Sequence, residues 1–231
     1  MISEKFAVIG IGHFGRAIAL TLSKKGAEVM AIDTNQEIID SISDDVAYAV
    51  TLDATDRKAL LSQDIKDFDA VIVSIGQNFE QRLLCAAVLM DIGVKRIICR
   101  SLGISQRLIL DKMGIEEILS PEDEVAIIVA ERLLNPSIIS YLQLPDDYRI
   151  AEVIAPRKTT GRTLYDIDIR DRYKLSLVTI KREFQEFVDK KKQMIQHIIG
   201  VPDSKAIIQH NDTLVLFGKT RDIDRFIEIN Q

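Results

Sequence analysis

Cysteine is scarce in this chain: Cys85 and Cys99 are the two among 231 residues, and they fall in separate apolar runs without metal-ligand spacing. Both are expected to be buried thiols of a reducing compartment, which excludes a disulfide scaffold and a cysteine metal site. Long hydrophobic runs are missing as well. A stretch such as Leu83 to Met90 is far short of the roughly 20 residues needed to cross a bilayer, so a membrane role is expected to work through a partner. There is no basic excess: the net charge is −5, with 14 Lys+Arg against 21 Asp+Glu in residues 1–134 and 16 against 14 in residues 135–231. Neither half carries the basic face of a nucleic-acid binder. The first five residues run straight into an apolar strand pattern and leave no room for a signal peptide, so a cytosolic protein is expected.

What is present is a glycine pattern with its context. Phe6 to Ile9 has the character of a strand buried on both faces, after which Phe14, Ile18 and Leu22 recur every fourth residue, the spacing of one helix face. Between them Gly10, Gly12 and Gly15 fit G-x-G-x-x-G: the first allows a tight turn, the second lets backbone approach a pyrophosphate, and the third lets helix pack on strand. The N–H groups at the helix start then face the phosphates. A second apolar run, Val29 to Ile32, ends in Asp33, where an acid meets adenosine ribose hydroxyls; the alternative for Asp33 is a cap of the next helix.

Further apolar runs place more polar groups at strand ends. Val46 to Leu52 ends in Asp53-Ala54-Thr55, with Asp53 read equally as ligand contact or as cap of the helix Arg57 to Leu61. Phe68 to Gly76 is a fourth buried strand with Ser74 and Gly76 at its rim, Phe79 to Met90 is a helix closed by Gly93, and the strand Arg96 to Cys99 leads to Arg100. The short helix Ile104 to Met113 and the strand Glu117 to Leu119 complete six strands with five intervening helices, a doubly wound α/β sheet. Ser120-Pro121-Glu122-Asp123 then starts a helix to Leu134 whose apolar residues cover more than one face, which implies burial against its own sheet and a second subunit or domain. Past Pro136 the texture changes. The expected domains are 1–134, Rossmann-like, and 140–231, a smaller α+β domain with strands at Arg149 to Ala155, Leu175 to Ile180, Met194 to Ile199 and Leu214 to Phe217. A short helical turn is expected at Leu164 to Ile169, a solvated hairpin tip at Lys190 to Lys192, and a closing helix from Asp222 to Ile229.

Taken together, these motifs resemble the cytosolic regulatory subunits of Trk/Ktr-type potassium uptake systems, which are RCK proteins. In the first half the resemblance rests on Phe6 to Gly15, Glu28 to Asp33, Asp53-Ala54-Thr55 and Ser120-Pro121-Glu122. In the second it rests on Gly161-Arg162-Thr163-Leu164, Asp168-Ile169-Arg170, Leu177 to Arg182 and Gln209 to Leu214 with Gly218. The resemblance implies a non-enzymatic protein that forms dimers and an octameric ring on the inner face of the cell membrane, where bound ATP or ADP, or NAD or NADH, sets the ring's shape and controls a potassium-translocating membrane subunit. It implies a nucleotide site made of Gly10, Gly12, His13, Phe14, Gly15, Asp33, Asp53, Ala54, Ser74, Gly76, Arg100 and Glu122, with Glu122 at an intersubunit site for a divalent or monovalent cation. It leaves open cyclic di-AMP at the carboxy-terminal domain. Ktr-type regulators commonly carry arginine where His13 stands; imidazole is shorter and only fractionally charged at neutral pH, so His13 is either a weak terminal-phosphate sensor or a plain loop residue. The rival reading is a nicotinamide-dependent oxidoreductase, but past His13 the only histidines are His197 and His210, both read as strand or turn residues rather than acid-base groups.

Overall fold

Strand β1 (Lys5–Ile9) alternates its burial between two cores, and that alternation organises the first half of the chain. The structure, a computed structural model, describes residues 4–76, 78–188 and 191–231. Six parallel strands, β1, β2 (Glu28–Asp33), β3 (Tyr48–Thr51), β4 (Ala70–Val73), β5 (Ile97–Arg100) and β6 (Glu117–Leu119), lie in the order β3-β2-β1-β4-β5-β6. Ala7 and Ile9 face the core formed with helices α3 (Arg57–Leu61), α4 (Phe79–Ile92) and α5 (Ile104–Lys112), whereas Val8 faces the one formed with α1 (His13–Lys24) and α2 (Gln36–Asp40). Both faces are covered because each parallel connection must cross over by a helix, so the strands are apolar on both sides. The direction of winding reverses between β1 and β4, and that switch point is where open α/β sheets bind ligands. Cys85 and Cys99 are both fully buried in this core. Burial pushes both thiols up, Cys99 to about 12, so neither is a thiolate at neutral pH.

The chain divides into two compact units, Met1–Glu124 and Val125–Gln231, and the division falls inside α6 (Pro121–Leu134). No residue of α6 is buried in the chain by itself. Its apolar residues cover more than one face, and in the chain by itself Val125, Ile127, Ile128, Val129, Leu133 and Leu134 stand exposed.

In the second unit five antiparallel strands lie in the order β10-β9-β11-β8-β7. They are β7 (Ile138–Gln143), β8 (Tyr148–Ile154), β9 (Ser176–Val188), β10 (Lys191–Ile198) and β11 (Thr213–Lys219). Helices α7 (Leu164–Ile167), α8 (Ile169–Tyr173) and α9 (Thr220–Asn230) complete it. Ile223, Phe226 and Ile227 of α9 close the core, where Tyr173 meets Phe226 edge-on at 5.0 Å and accepts a 3.0 Å hydrogen bond from Asn230. β7 is not expected from the sequence; among the described residues it pairs only β8, and one buried residue, Ile138, is a weak periodic signal. α8 is also additional: Asp168 adopts a left-handed conformation (φ 53°), ends α7 and caps α8. Of the expected hairpin tip, Lys190 lies outside the described residues, while Lys192 belongs to β10 with its ammonium 5.8 Å from the Phe187 ring centroid. Among the described residues no helix is long and apolar enough to cross a membrane.

Candidate functional site

The three glycines do three different things. Gly10 has φ +90°, and a Cβ there would lie 2.8 Å from the Ile75 nitrogen, so only glycine makes this turn. At Gly15 a Cβ would lie 2.0 Å from the Gly10 oxygen and 2.4 Å from Ser74 Oγ, so helix α1 approaches the turn only without a side chain. At Gly12 a Cβ would meet nothing within 4 Å. That free space belongs to a cleft of about 520 Å³, within the range of small-molecule sites.

Seven of the residues expected at the nucleotide line this cleft: Gly10, Gly12, Asp33, Asp53, Ala54, Ser74 and Gly76. Asp33 is bound to the glycine turn, its Oδ2 accepting from the Ile11 nitrogen at 2.7 Å and its Oδ1 from Asn35 at 3.0 Å. It is not the helix cap; Asn35 caps α2. Nor does Asp53 cap α3, a role that belongs to Asp56. Asp53 instead accepts from the backbone nitrogen of Thr55 at 2.9 Å and from its hydroxyl at 2.7 Å, and these bonds hold its carboxyl below the usual aspartate value. Ser74 is 3% exposed, and its hydroxyl donates to the Gly10 carbonyl at 2.6 Å, so its principal contact is with the turn itself.

His13, Phe14, Gly15, Arg100 and Glu122 do not line the cleft. His13 is exposed at the start of α1. Phe14 carries the Arg100 guanidinium 5.1 Å from its ring centroid, a cation–π contact. Arg100 also donates to the Glu122 carboxylate, while its Nε is buried without a partner among the described residues. Burial pushes Glu122 up, but the Arg100 hydrogen bond and the charges of Arg100 and Arg82 outweigh it and leave the carboxyl below its usual value. No group of three or more His, Cys, Asp or Glu able to hold a metal occurs among the described residues, and Glu122 is engaged by Arg100.

The residue that the sequence does not announce is Arg82, fully buried beneath the Ile75–Gly76 turn. Its only sequence signal is an arginine directly before the apolar run Leu83 to Met90 of α4. Thr34, Ile38, Leu52, Thr55, Asn78 and Gln81 also line the cleft. Asp33 ends β2 and Asp53 follows β3, whereas Arg82 lies on α4 and Arg100 ends β5, where it is paired with Glu122. A larger cavity, about 840 Å³, lies in the second unit beside α7 and α8 and carries Asp166, Asp168, Arg170, Asp171 and Asp203. The cavity in the second unit is the larger of the two, but the smaller cleft is the one that holds the glycine turn, Asp33 and Asp53.

The model of the TrkA-N domain matches residues 6–121, from β1 to the first residue of α6. The chain belongs to the TrkA-N family. A TrkA-N relative, Ktr system potassium uptake protein C of Bacillus subtilis (strain 168), is 32% identical over 223 residues, 96% of each chain. Among solved structures, the TrkA-N protein shares its fold with the GsuK RCK domain, at 20% identity and a TM-score of 0.54, covering 99% of this chain and 47% of that one. The GsuK channel bound to NAD has a TM-score of 0.61 at 14% identity, covering 99% of this chain and 39% of that one. These longer chains support the fold assignment of the TrkA-N protein and nothing beyond it.

Proposed function

We propose that this protein is the nucleotide-binding regulatory subunit of a Ktr-type potassium uptake system, a gating protein rather than an enzyme. The observation that carries this reading is the cleft at the glycine turn, with Asp33 and Asp53 at one side and Arg100 beyond the other, in a chain that matches a potassium uptake protein over nearly its whole length. Acceptors on the β2–β3 side suit ribose hydroxyls, and cations on the β4–β5 side suit phosphates. ATP, ADP, NAD and NADH all present that pair of chemistries, so an adenine nucleotide is the ligand class. The described cleft residues include no His, Cys, Lys or Tyr, which leaves the oxidoreductase alternative without an acid-base group beyond two engaged aspartates.

The finer parts of the proposal concern assembly. The exposed apolar side chains of α6 are covered by a second copy of the chain, and the copies build through dimers to an octameric ring on the inner face of the membrane, attached to the potassium-translocating subunit. His13 and Glu122 act at the boundary between copies, and a divalent or monovalent cation at Glu122 competes with Arg100 for the carboxylate. For cyclic di-AMP the second unit offers the larger cavity, where Arg170 is the sole cation lining it, against four aspartates. A dianionic ligand there requires cations from a second copy.

Parallel calorimetric titration with ATP, ADP, NAD and NADH tests the ligand, and uptake of potassium into vesicles carrying the membrane partner tests the regulation. The proposal expects binding of at least one nucleotide and uptake that depends on it. Uptake that is the same with and without every nucleotide bound would overturn it.

A further inference from the structure

Arg82 carries a buried positive charge that no direct contact neutralises. It is 0% exposed and sits in the first turn of α4. Its Nε donates to the Ile75 carbonyl at 2.6 Å, its Nη2 to the Gly76 carbonyl at 2.7 Å and its Nη1 to Gln106 Oε1 at 2.7 Å, and the guanidinium lies 5.7 Å from the Phe79 ring centroid. All of these partners are neutral, and no carboxylate pairs with it among the described residues. Buried cations ordinarily have an acid partner, because an unpaired buried charge is costly. The first turn of a helix is also the wrong end for a cation, since the backbone dipole is positive there. Arg100 adds a second cation, and Glu122 acts on Arg82 only through space. Burial, and then repulsion from Arg100, push the Arg82 guanidinium below the ordinary arginine value, yet arginine stays protonated in proteins.

We infer that Arg82 determines the charge specificity of the cleft: from beneath the Ile75–Gly76 turn it holds the β4–β5 side at positive potential, so that the site prefers a nucleotide with at least two phosphates over the bare nucleoside. The inference rests on the nucleotide reading of the cleft and adds the residue that counts phosphate charge. Two effects combine. By binding the carbonyls of Ile75 and Gly76, Arg82 turns two acceptors that would repel a phosphate away from it, and its own charge attracts the phosphate through a region of low dielectric. His13 is exposed and does not line the cleft.

The decisive variant is Gln106→Glu. Gln106 Oε1 accepts from Arg82 and, at 2.9 Å, from the Leu102 nitrogen, so a carboxylate keeps both bonds and supplies the missing countercharge. Calorimetry at fixed ionic strength with adenosine, AMP and ADP reads the outcome, alongside the melting temperature. The inference expects wild type to bind ADP more tightly than adenosine. It expects Gln106→Glu to melt no lower, to bind adenosine within about twofold of wild type and to bind ADP at least about fivefold more weakly. An unchanged ratio overturns the inference; because a new carboxylate beside the cleft repels phosphate whatever Arg82 does, a ratio kept in folded Arg82→Gln overturns it too. Should Gln106→Glu fail to fold, Arg82→Lys, which keeps the charge, is compared with Arg82→Gln, which loses it; equal loss of the ADP preference in both overturns the inference. Wild-type protein that binds neither adenosine nor ADP overturns the nucleotide reading itself, a result distinct from binding without a change of ratio.

Discussion

Gly12 and Gly15 stand three residues apart and answer to different neighbours. A Cβ on Gly12 meets only the open cleft, so Gly12→Val should leave the melting temperature within a few degrees of wild type and abolish measurable nucleotide binding in calorimetry. A Cβ on Gly15 meets the Gly10 carbonyl at 2.0 Å, so Gly15→Ala should lower stability by about 2–3 kcal/mol, read by urea denaturation. Asp33 combines both roles. If the cleft holds a nucleotide as proposed, Asp33→Ala removes a charged acceptor from the ribose, which predicts at least a tenfold loss of affinity, about 1.4 kcal/mol. It also frees the Ile11 nitrogen, so a lower melting temperature should accompany the loss, whereas unchanged affinity in a folded variant would remove Asp33 from the site. Spacing was enough to point to the glycines and to Asp33. It could not assign the cap of α3, because Asp53 and Asp56 both precede that helix and only the backbone path decides which carboxylate reaches its first N–H groups.

At the scale of elements, α6 is where the chain passes from one compact unit to the other and where apolar surface is left uncovered. Ile128→Glu should reduce the assembled mass in light scattering if a second copy covers this helix; an unchanged mass above that of a monomer would place the interface elsewhere. Glu122 opens the same helix and holds Arg100. Glu122→Gln keeps the size and removes the charge, and the expected result is normal nucleotide binding and assembly with lost nucleotide dependence of potassium uptake. If that dependence survives, Glu122 is only an acid in a helix first turn, worth up to about 1 kcal/mol to α6. In the proposed ring, a nucleotide-driven change of shape requires the nucleotide to favour one state by roughly 1–3 kcal/mol, and several sites would add to that.

For the molecule as a whole, acid is the expected weakness. Asp53 is held below its ordinary value of 3.8 by the Thr55 backbone and hydroxyl, and Asp166 below 3.8 by the Thr163 hydroxyl. Glu117 is held below 4.5 by the Arg96 hydrogen bond, and Glu122 below 4.5 by Arg100 against the opposing effect of burial. Each carboxylate has a lower value folded than unfolded, so its contribution is fully present above the unfolded value and is lost as pH falls through the folded one. The urea midpoint should therefore be insensitive to these groups between pH 8 and about 5.5 and should fall progressively below about 4.5. A midpoint that stays constant down to pH 3 would show that these hydrogen bonds contribute nothing to folding.

The six-stranded sheet, its helices and the place of Asp33 at the end of β2 were legible in the amino-acid order because they depend on local pattern: short apolar runs in the buried strands, period 3.6 in helices, and glycines where only hydrogen fits. The second unit was less legible. β7 shows one buried residue and gains its partner from a strand that follows it in the chain, and α8 exists because Asp168 adopts a conformation that few residues take. Neither the burial of Arg82 nor the exposure of α6 follows from any spacing. A charged residue in an apolar helix can face water or be held by distant carbonyls, and an apolar helix can be covered or left open. Both are settled by which surfaces meet, and that is determined by packing in three dimensions.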